Sequence, residues 1–313
     1  MQHYAFKQVD VFTATPYFGN PLAVVLDAGC GDGLDDASMQ RFARWTNLSE
    51  TTFLLRPVDA SADYRVRIFT PGGELPFAGH PTLGSCHSWL QAGGQPKHKD
   101  FIVQECKLGL VRIRREIDNL GSERLAFAAP PLKRSTPSPV LLAQVAAALG
   151  LKAAQIQAAQ LLDNGPVWLG LLLDSPETVL QLMPEHLALE KLKVKVGVTG
   201  IYPKTAAPTL IVRANREARA FGQAATTASP PDPELEVRAF AACSGINEDP
   251  VTGSLNASLA QWLIADGYAP ECYVASQGAC LGRAGLVYLE RDRASQVWVG
   301  GASVTCIDGS VTL

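Results

Sequence analysis

Three titratable residues of this 313-residue chain stand in sequence contexts that permit chemistry. His80 and Asp249 accompany glycines, in "FAGHPTLG" (77–84) and "EDPVTGS" (248–254), and Glu50 directly precedes an apolar segment. Carboxyl and imidazole groups take up and release protons near neutral pH when burial or neighbouring groups shift their pKa values. Whether these three act in this way depends on the elements that position them.

Each of these residues also has an ordinary structural interpretation. His80 and Ser254 would cap helices, because polar side chains often accept hydrogen bonds from the first N–H groups of a helix. Asp249 would be a turn acid before Pro250. Glu50 would be a solvated surface residue, since an ionised glutamate is seldom buried without a partner. The residue types alone leave these alternatives open.

Two segments without Asp, Glu, Lys or Arg, residues 75–96 and 250–265, contain the glycines of these motifs. A helix without a charged face must be surrounded by protein or lipid, and these segments are too short to cross lipid. We therefore predict one buried central helix in each half of the chain. A helix N-terminus favours an anion such as a carboxylate. Gly79 and Gly253 would let that ligand approach the backbone, in a cleft between two domains.

Four landmarks recur in the same order along the chain, which predicts a duplicated domain. The pairs are residues 19–29 with 164–175, 66–69 with 237–240, 88–94 with 261–267, and 109–116 with 285–292. The proline-rich segment 128–139 would join the two copies, because it cannot continue a strand. The predicted fold class is α+β, with a curled, mostly antiparallel sheet around the buried helix of each half.

The expected division is an N-terminal half-repeat over residues 1–128 and a C-terminal half-repeat over 129–300. A C-terminal strand near 301–313 would return to the first half. The second copy is longer between residues 204 and 234, and we expect this insertion to form a mobile loop that shapes the entrance of the cleft.

Composition excludes several classes of function. The net charge of −3 gives no electrostatic reason to bind nucleic acid, and no apolar run is long enough to span a bilayer. The seven cysteines are scattered without a CxxC pair, which predicts free thiols in a soluble, cytoplasmic protein. No residues have metal-ligand spacing and no dinucleotide-binding glycine motif follows a strand, so we expect neither a metal nor another cofactor.

The sequence resembles the PhzF-like, phenazine-biosynthesis family over almost its whole length. The resemblance is carried by "GNPLAVVL", "NLSET", "FAGHPTLG", "TGIY", "EDPVTGS" and "QGACLGRAG". It implies the diaminopimelate-epimerase fold, in which two pseudo-symmetric domains each curl strands around a central helix. It also implies a cofactor-independent isomerase of a small carboxylate, as in the isomerisation of a dihydro-hydroxyanthranilate, and a homodimer.

The same resemblance assigns roles to particular residues. Glu50 would transfer the proton, and His80 and Asp249 would complete the catalytic group beside it. The substrate-binding residues would be Gly79, Gly253 and Ser254.

Two other functions stay open from the sequence. Racemases with this fold use two opposed cysteines, but this chain has Ala78 and Pro250 at those positions, so a two-thiol mechanism is disfavoured. An amino- or hydroxy-acid epimerase with one base, or with Glu50 and His80, is compatible with the motifs. So is a non-catalytic protein that binds a metabolite or a partner.

Overall fold

The computed structural model describes residues 2–29, 33–117, 123–203 and 231–313, which form 18 β-strands and six α-helices. Most of the loop predicted over 204–234 lies outside these residues. The helices are α1 (Asp36–Thr46), α2 (Gly79–Gln91), α3 (Pro139–Leu149), α4 (Pro176–Gln181), α5 (His186–Leu192) and α6 (Gly253–Ala265).

The strands divide into two runs along the chain. The first run contains β1 (His3–Val11), β2 (Asn20–Val25), β3 (Thr51–Leu55), β4 (Tyr64–Thr70), β5 (Gly73–Leu75), β6 (Phe101–Cys106), β7 (Gly109–Ile117) and β8 (Glu123–Ala128). The second run contains β9 (Lys133–Ser135), β10 (Ile156–Asp163), β11 (Val167–Leu173), β12 (Lys195–Ile201), β13 (Leu235–Ala241), β14 (Ile246–Asp249), β15 (Cys272–Gln277), β16 (Gly285–Arg291), β17 (Val297–Gly301) and β18 (Ser303–Thr312).

The two halves of the fold pair their strands in the same order. In the first half, β1–β2, β3–β4, β6–β7 and β7–β8 pair antiparallel, whereas β2–β3 and β4–β6 pair parallel. The second half repeats this pattern: β10–β11, β12–β13, β15–β16 and β16–β17 are antiparallel, and β11–β12 and β13–β15 are parallel. The pseudo-symmetric α+β fold predicted from the repeated landmarks is therefore confirmed.

Each run of strands also pairs with the other. Strand β8 pairs with β17 and β18 returns to pair with β1, whereas β9 pairs with β10 inside the second run. The two halves are thus connected through backbone hydrogen bonds as well as through packing. The division of the chain near residue 128 stays a prediction.

Helices α2 and α6 lie at the centre of the two halves. Nine of the 13 residues of α2 and ten of the 13 residues of α6 are buried, as their lack of charged side chains predicts. Helix α2 packs on β1, β2 and β8, and α6 packs on β10, β16 and β17. The remaining helices lie on the outside of the sheet, where for example α1 buries only Met39, Phe42 and Ala43.

The central helices lack the side-chain cap that three of the four outer helices have. Helices α1, α3 and α4 each start with a side chain that accepts a hydrogen bond from the first turn; these caps are Asp35, Ser138 and Ser175. The residues before α2 and α6, Ala78 and Thr252, make no such bond. The N–H groups at the start of both central helices are therefore left without a side-chain partner.

The two central helices meet at their first residues. A Cβ atom on Gly79 would lie 3.0 Å from the Cα atom of Gly253 and 2.8 Å from the ring of Phe127. A Cβ atom on Gly253 would lie 3.1 Å from the Cα atom of Gly79. The sequence predicts that these glycines let a ligand approach the backbone, and in the fold they also let the two helices approach each other closely.

We expect Gly79→Ala to lower the free energy of unfolding by about 1–3 kcal/mol, because the added methyl group has no space between the two helices. This loss should occur although alanine is the better helix former. Gly73→Ala is the matched control, since no atom lies within 4 Å of a Cβ atom there, and it should change stability by less than about 0.5 kcal/mol. Urea unfolding of both variants measures the difference, and equal stabilities would contradict the close helix contact.

Candidate active site

Glu50 is brought into the protein by the strand that follows it. Asn47, which follows α1, has a left-handed backbone conformation that ends the helix, and the chain then enters β3, which pairs with β2 on one side and β4 on the other. Thr51 and Thr52, the first residues of β3, are fully buried. The side chain of Glu50 is only 13% exposed, so its interpretation as a solvated residue is wrong. Burial raises the pKa of this carboxyl group.

His80 contacts Glu50 from the second position of α2. Its Nε2 atom lies 3.3 Å from Oε2 of Glu50, although the two atoms are not aligned as a hydrogen bond. Burial lowers the pKa of His80 to about 4, and the negative charges of Asp249 and Asp10 offset only part of this effect. The imidazole is therefore neutral at neutral pH.

Asp249 reaches the same site from the second half of the fold, as the last residue of β14. Its Oδ1 atom accepts a hydrogen bond from Nδ2 of Asn20 (2.9 Å), and its Oδ2 atom accepts one from Oγ1 of Thr252 (2.6 Å). Burial raises the pKa of Asp249 to about 6, against the lowering effect of His80, and the charge of Glu50 adds to the increase. Its interpretation as an ordinary turn acid is wrong.

His80 and Ser254 occupy equivalent places, each being the second residue of its central helix. The capping positions are instead held by Ala78 and Thr252, so the interpretation of His80 and Ser254 as helix caps is wrong. The start of both helices remains available to an anion, which the N–H groups and the helix dipole would stabilise.

A second group of side chains surrounds Ser254 on the side of the second half. The Oγ atom of Ser254 accepts a hydrogen bond from Nε1 of Trp168 (3.2 Å), and its carbonyl oxygen accepts one from Nδ2 of Asn164 (3.0 Å). The ammonium group of Lys195 lies 5.7 Å from the centre of the Trp168 ring. The charge of Lys195 offsets part of the increase that burial causes in the pKa of Glu50.

Sequence reasoning missed the amides that support this site. Asn20 binds both Asp249 and the carbonyl oxygen of residue 251. Gln277 is buried, and its Oε1 atom accepts hydrogen bonds from the N–H group of Thr252 (3.0 Å) and from Nδ2 of Asn256 (2.9 Å). Its Nε2 atom donates to the carbonyl oxygen of Asp249 (3.0 Å). Both residues belong to motifs that carry the family resemblance, "GNPLAVVL" for Asn20 and "QGACLGRAG" for Gln277. The signal that could have identified them is an amide side chain beside an apolar strand.

Several polar atoms of this cluster have no hydrogen-bond partner. They include Oε2 of Glu50, Nε2 of His80 and Oδ1 of Asn20, all of which are buried. Buried polar atoms are normally paired, because leaving them unpaired costs free energy. Unpaired atoms that converge beside two uncapped helix ends fit a polar ligand in this place.

Other features of the described ranges do not compete with this site. No described helix combines the length and the apolar character needed to cross a membrane. No three His, Cys, Asp or Glu side chains of the described residues are grouped as metal ligands. Two surface cavities, one beside Arg65 and Lys107 and one beside Phe42 and Trp45, contain none of the candidate residues.

Comparison with known proteins identifies relatives of the whole chain. A family model described as phenazine biosynthesis-like protein (PhzC-PhzF) matches residues 9–309. The chain is 34% identical to "Antisense-enhancing sequence 1" of Schizosaccharomyces pombe, over 99% of both proteins. It is 32% identical to the trans-2,3-dihydro-3-hydroxyanthranilate isomerase of Pseudomonas fluorescens, over 97% of this chain and 98% of that protein.

The fold agrees with these sequence matches. A crystal structure of a PhzF family protein from Bacillus anthracis covers 100% of both chains with a TM-score of 0.79 at 20% identity. The motifs, the duplicated strand order and the extent of the matches lead to one conclusion. The chain belongs to the phenazine biosynthesis-like PhzC/PhzF family and has its two-domain, diaminopimelate-epimerase-like fold.

Proposed function

We propose that the protein is a cofactor-independent isomerase that moves a proton between two carbons of a small carboxylate. The observation that carries this proposal is the meeting of Glu50, His80 and Asp249 beside two uncapped helix N-termini, one from each half. The names of several relatives, which include isomerases, support the same class of reaction.

The substrate carboxylate binds beside the contact between the two central helices, at their N-termini, in this proposal. The N–H groups at the start of α2 and α6, at Gly79 and His80 and at Gly253 and Ser254, have no side-chain acceptor. Helix N-termini bind carboxylates through such groups and through the partial positive charge of the helix dipole. Binding there holds the rest of the substrate against the titratable cluster.

Glu50 takes a proton from one carbon of the substrate and returns it to another. Its raised pKa makes the carboxylate a stronger base than an exposed glutamate, and the protonated form is then a suitable acid for the return step. Because the same group accepts and donates the proton, Glu50 ends the reaction ionised as it began. The cycle therefore needs no external acid or base.

His80 stabilises the negative charge of the intermediate, and Asp249 is a second acid–base group beside it. A neutral imidazole has one N–H group to donate, and it contacts Glu50 where the proton is transferred. Asp249, with a pKa of about 6, is the second carboxyl group that exchanges a proton near neutral pH. The substrate that we propose as the first candidate is trans-2,3-dihydro-3-hydroxyanthranilate, which is part of the names of three relatives.

The geometry favours isomerisation over epimerisation with two bases. A carbon placed between two bases needs each of them within about 3–3.5 Å on opposite sides. Glu50 and His80 lie 3.3 Å from each other, which leaves no space for a carbon between them. A protein that only binds a metabolite would use the helix ends but has no need of buried carboxyl groups with raised pKa values. A cytoplasmic location and a homodimer stay predictions from the sequence.

Glu50→Gln should lower kcat by at least about 100-fold, because it removes the exchangeable proton and keeps the shape of the side chain. Turnover of trans-2,3-dihydro-3-hydroxyanthranilate, followed by NMR as the product signals appear, measures this loss. Glu177→Gln, which changes an exposed glutamate of α4, is the matched control and should keep the wild-type rate. Near-normal turnover by the Glu50 variant would exclude Glu50 as the base.

Single substitutions of Asp249 and His80 should change the pH dependence of stability in opposite directions. Folded Asp249 holds a proton that the unfolded chain releases near pH 3.8, so its contribution to stability is lost as the pH rises through about 6. Folded His80 excludes a proton that the unfolded chain binds below pH 6.5, so its contribution is lost as the pH falls through about 4. In the wild-type protein these two effects oppose each other over the same range.

Relative to wild type, the free energy of unfolding of Asp249→Asn should therefore rise between pH 4 and 6. That of His80→Asn should fall over the same interval. Urea unfolding at a series of pH values measures both slopes. Slopes of the same sign in the two variants would show that the protonation states assigned here are wrong.

A further inference from the structure

Two arginine–glutamate pairs occupy equivalent places in the two halves of the fold. In the second half, Arg238 of β13 binds Glu248 of β14 through two hydrogen bonds, Nε to Oε1 (2.9 Å) and Nη2 to Oε2 (2.8 Å). In the first half, Arg67 of β4 binds Glu74 of β5 in the same way, at 2.8 Å and 3.1 Å. In both halves, therefore, an arginine of a long strand holds a glutamate of the short strand that leads to the central helix.

The surroundings of the two arginines also repeat. Each guanidinium group lies 5.0 Å from the centre of a phenylalanine ring two residues further along its strand, Phe69 for Arg67 and Phe240 for Arg238. The repeated landmarks "VRIF" and "VRAF" are these residues. An arrangement that appears twice in one chain, with the same atoms paired, indicates a common structural task.

The short strand of the second half depends on such support. Strand β14 pairs with β13 at only two positions, Asp249 with Ala239 and Ile246 with Ala241, with an irregularity between them. Successive side chains of a strand point to opposite faces, so Glu248 points away from the face that carries Asp249. Holding Glu248 therefore fixes the backbone of Asp249 without occupying the cleft.

The arginine connects this strand to the outer helices. Nη1 of Arg238 donates to the carbonyl oxygens of Val179 (3.1 Å) and Leu182 (2.9 Å), in α4 and just after it. The side chains of Arg238 and Glu248 are 5% and 8% exposed. A buried ion pair adds little stability compared with apolar residues of similar size, but its bidentate geometry defines one arrangement.

We propose that Arg238 and Glu248 are positioning residues that hold Asp249 and the start of α6 in the geometry needed for proton transfer. The expected effect on catalysis rests on the proposed function, in which Asp249 is a catalytic residue. Arg67 and Glu74 do the same for the segment that leads to α2 and His80.

The test replaces the whole pair, in the double variant Arg238→Met/Glu248→Leu. Removing one partner would leave a buried charge unpaired, whereas two apolar residues of similar volume allow the protein to fold. We expect thermal unfolding to stay cooperative, with kcat for trans-2,3-dihydro-3-hydroxyanthranilate reduced about tenfold or more because Asp249 is displaced. Arg238→Lys, which keeps the charge but cannot form both hydrogen bonds, should change kcat in the same direction by less.

A second readout does not depend on activity. Carboxyl ¹³C NMR measures the pKa of Asp249, which is about 6 in the intact site and should move toward 3.8 when β14 is released and the carboxyl group meets water. The groups that face Asp249, namely Glu50, His80, Asn20 and Thr252, are unchanged in the variant. If the wild-type protein does not turn over trans-2,3-dihydro-3-hydroxyanthranilate, the proposed substrate is wrong. The change in the pKa of Asp249 then still tests whether Arg238 and Glu248 position this residue.

The matched control is an exposed pair of the same residue types in the same half. Arg291 at the end of β16 binds Glu271 through Nε and Nη2 in the same bidentate manner. Arg291→Met/Glu271→Leu should change neither kcat nor the pKa of Asp249. A folded Arg238→Met/Glu248→Leu protein with the pKa of Asp249 still near 6 and an unchanged kcat would overturn the proposal, as would equal effects in the control. If the double variant does not fold, a wild-type pKa of Asp249 in Arg238→Lys would overturn it.

Discussion

The structure depends on the contact between two helix N-termini that have no side-chain caps. Helices α2 and α6 meet at Gly79 and Gly253, where a Cβ atom at either position would lie only 3.0–3.1 Å from the Cα atom of the facing glycine. Like ends of two helix dipoles are thereby brought together, which is unfavourable unless negative charge lies between or beside them. The carboxyl groups of Glu50 and Asp249 lie at this point, and an anionic substrate would supply the charge that the two helix ends favour.

The rest of the fold excludes water from this contact and fixes its geometry. Each half surrounds its helix with sheet, and the pairings of β8 with β17 and of β1 with β18 join the halves. Burial then shifts the protonation of the site, so that His80 is neutral and both carboxyl groups hold protons more tightly than in water. Asn20 donates a hydrogen bond to the side chain of Asp249, and Gln277 donates one to its carbonyl oxygen. These hydrogen bonds reduce the free-energy cost of burying the polar groups of the site.

The sequence predicted those features that depend on local composition. Segments without charged residues identified the two buried helices, and repeated landmarks identified the duplicated fold. The residue types alone favoured an exposed Glu50, because its burial follows from the place of β3 between β2 and β4, which local composition does not reveal. The same limit applies to Arg238 and Gln277, whose partners lie ten or more residues away, and to Gly79 and Gly253, whose contact joins residues far apart in the chain.

The central claim is that the two helix ends form a carboxylate site beside Glu50. A crystal structure of the protein soaked with benzoate, a small cyclic carboxylate, tests this most directly. The account predicts that the carboxylate oxygens accept hydrogen bonds from N–H groups at the start of both α2 and α6, with the ring adjacent to Glu50 and His80. A benzoate bound at another place, with the N-termini of α2 and α6 left without an anion, would contradict it.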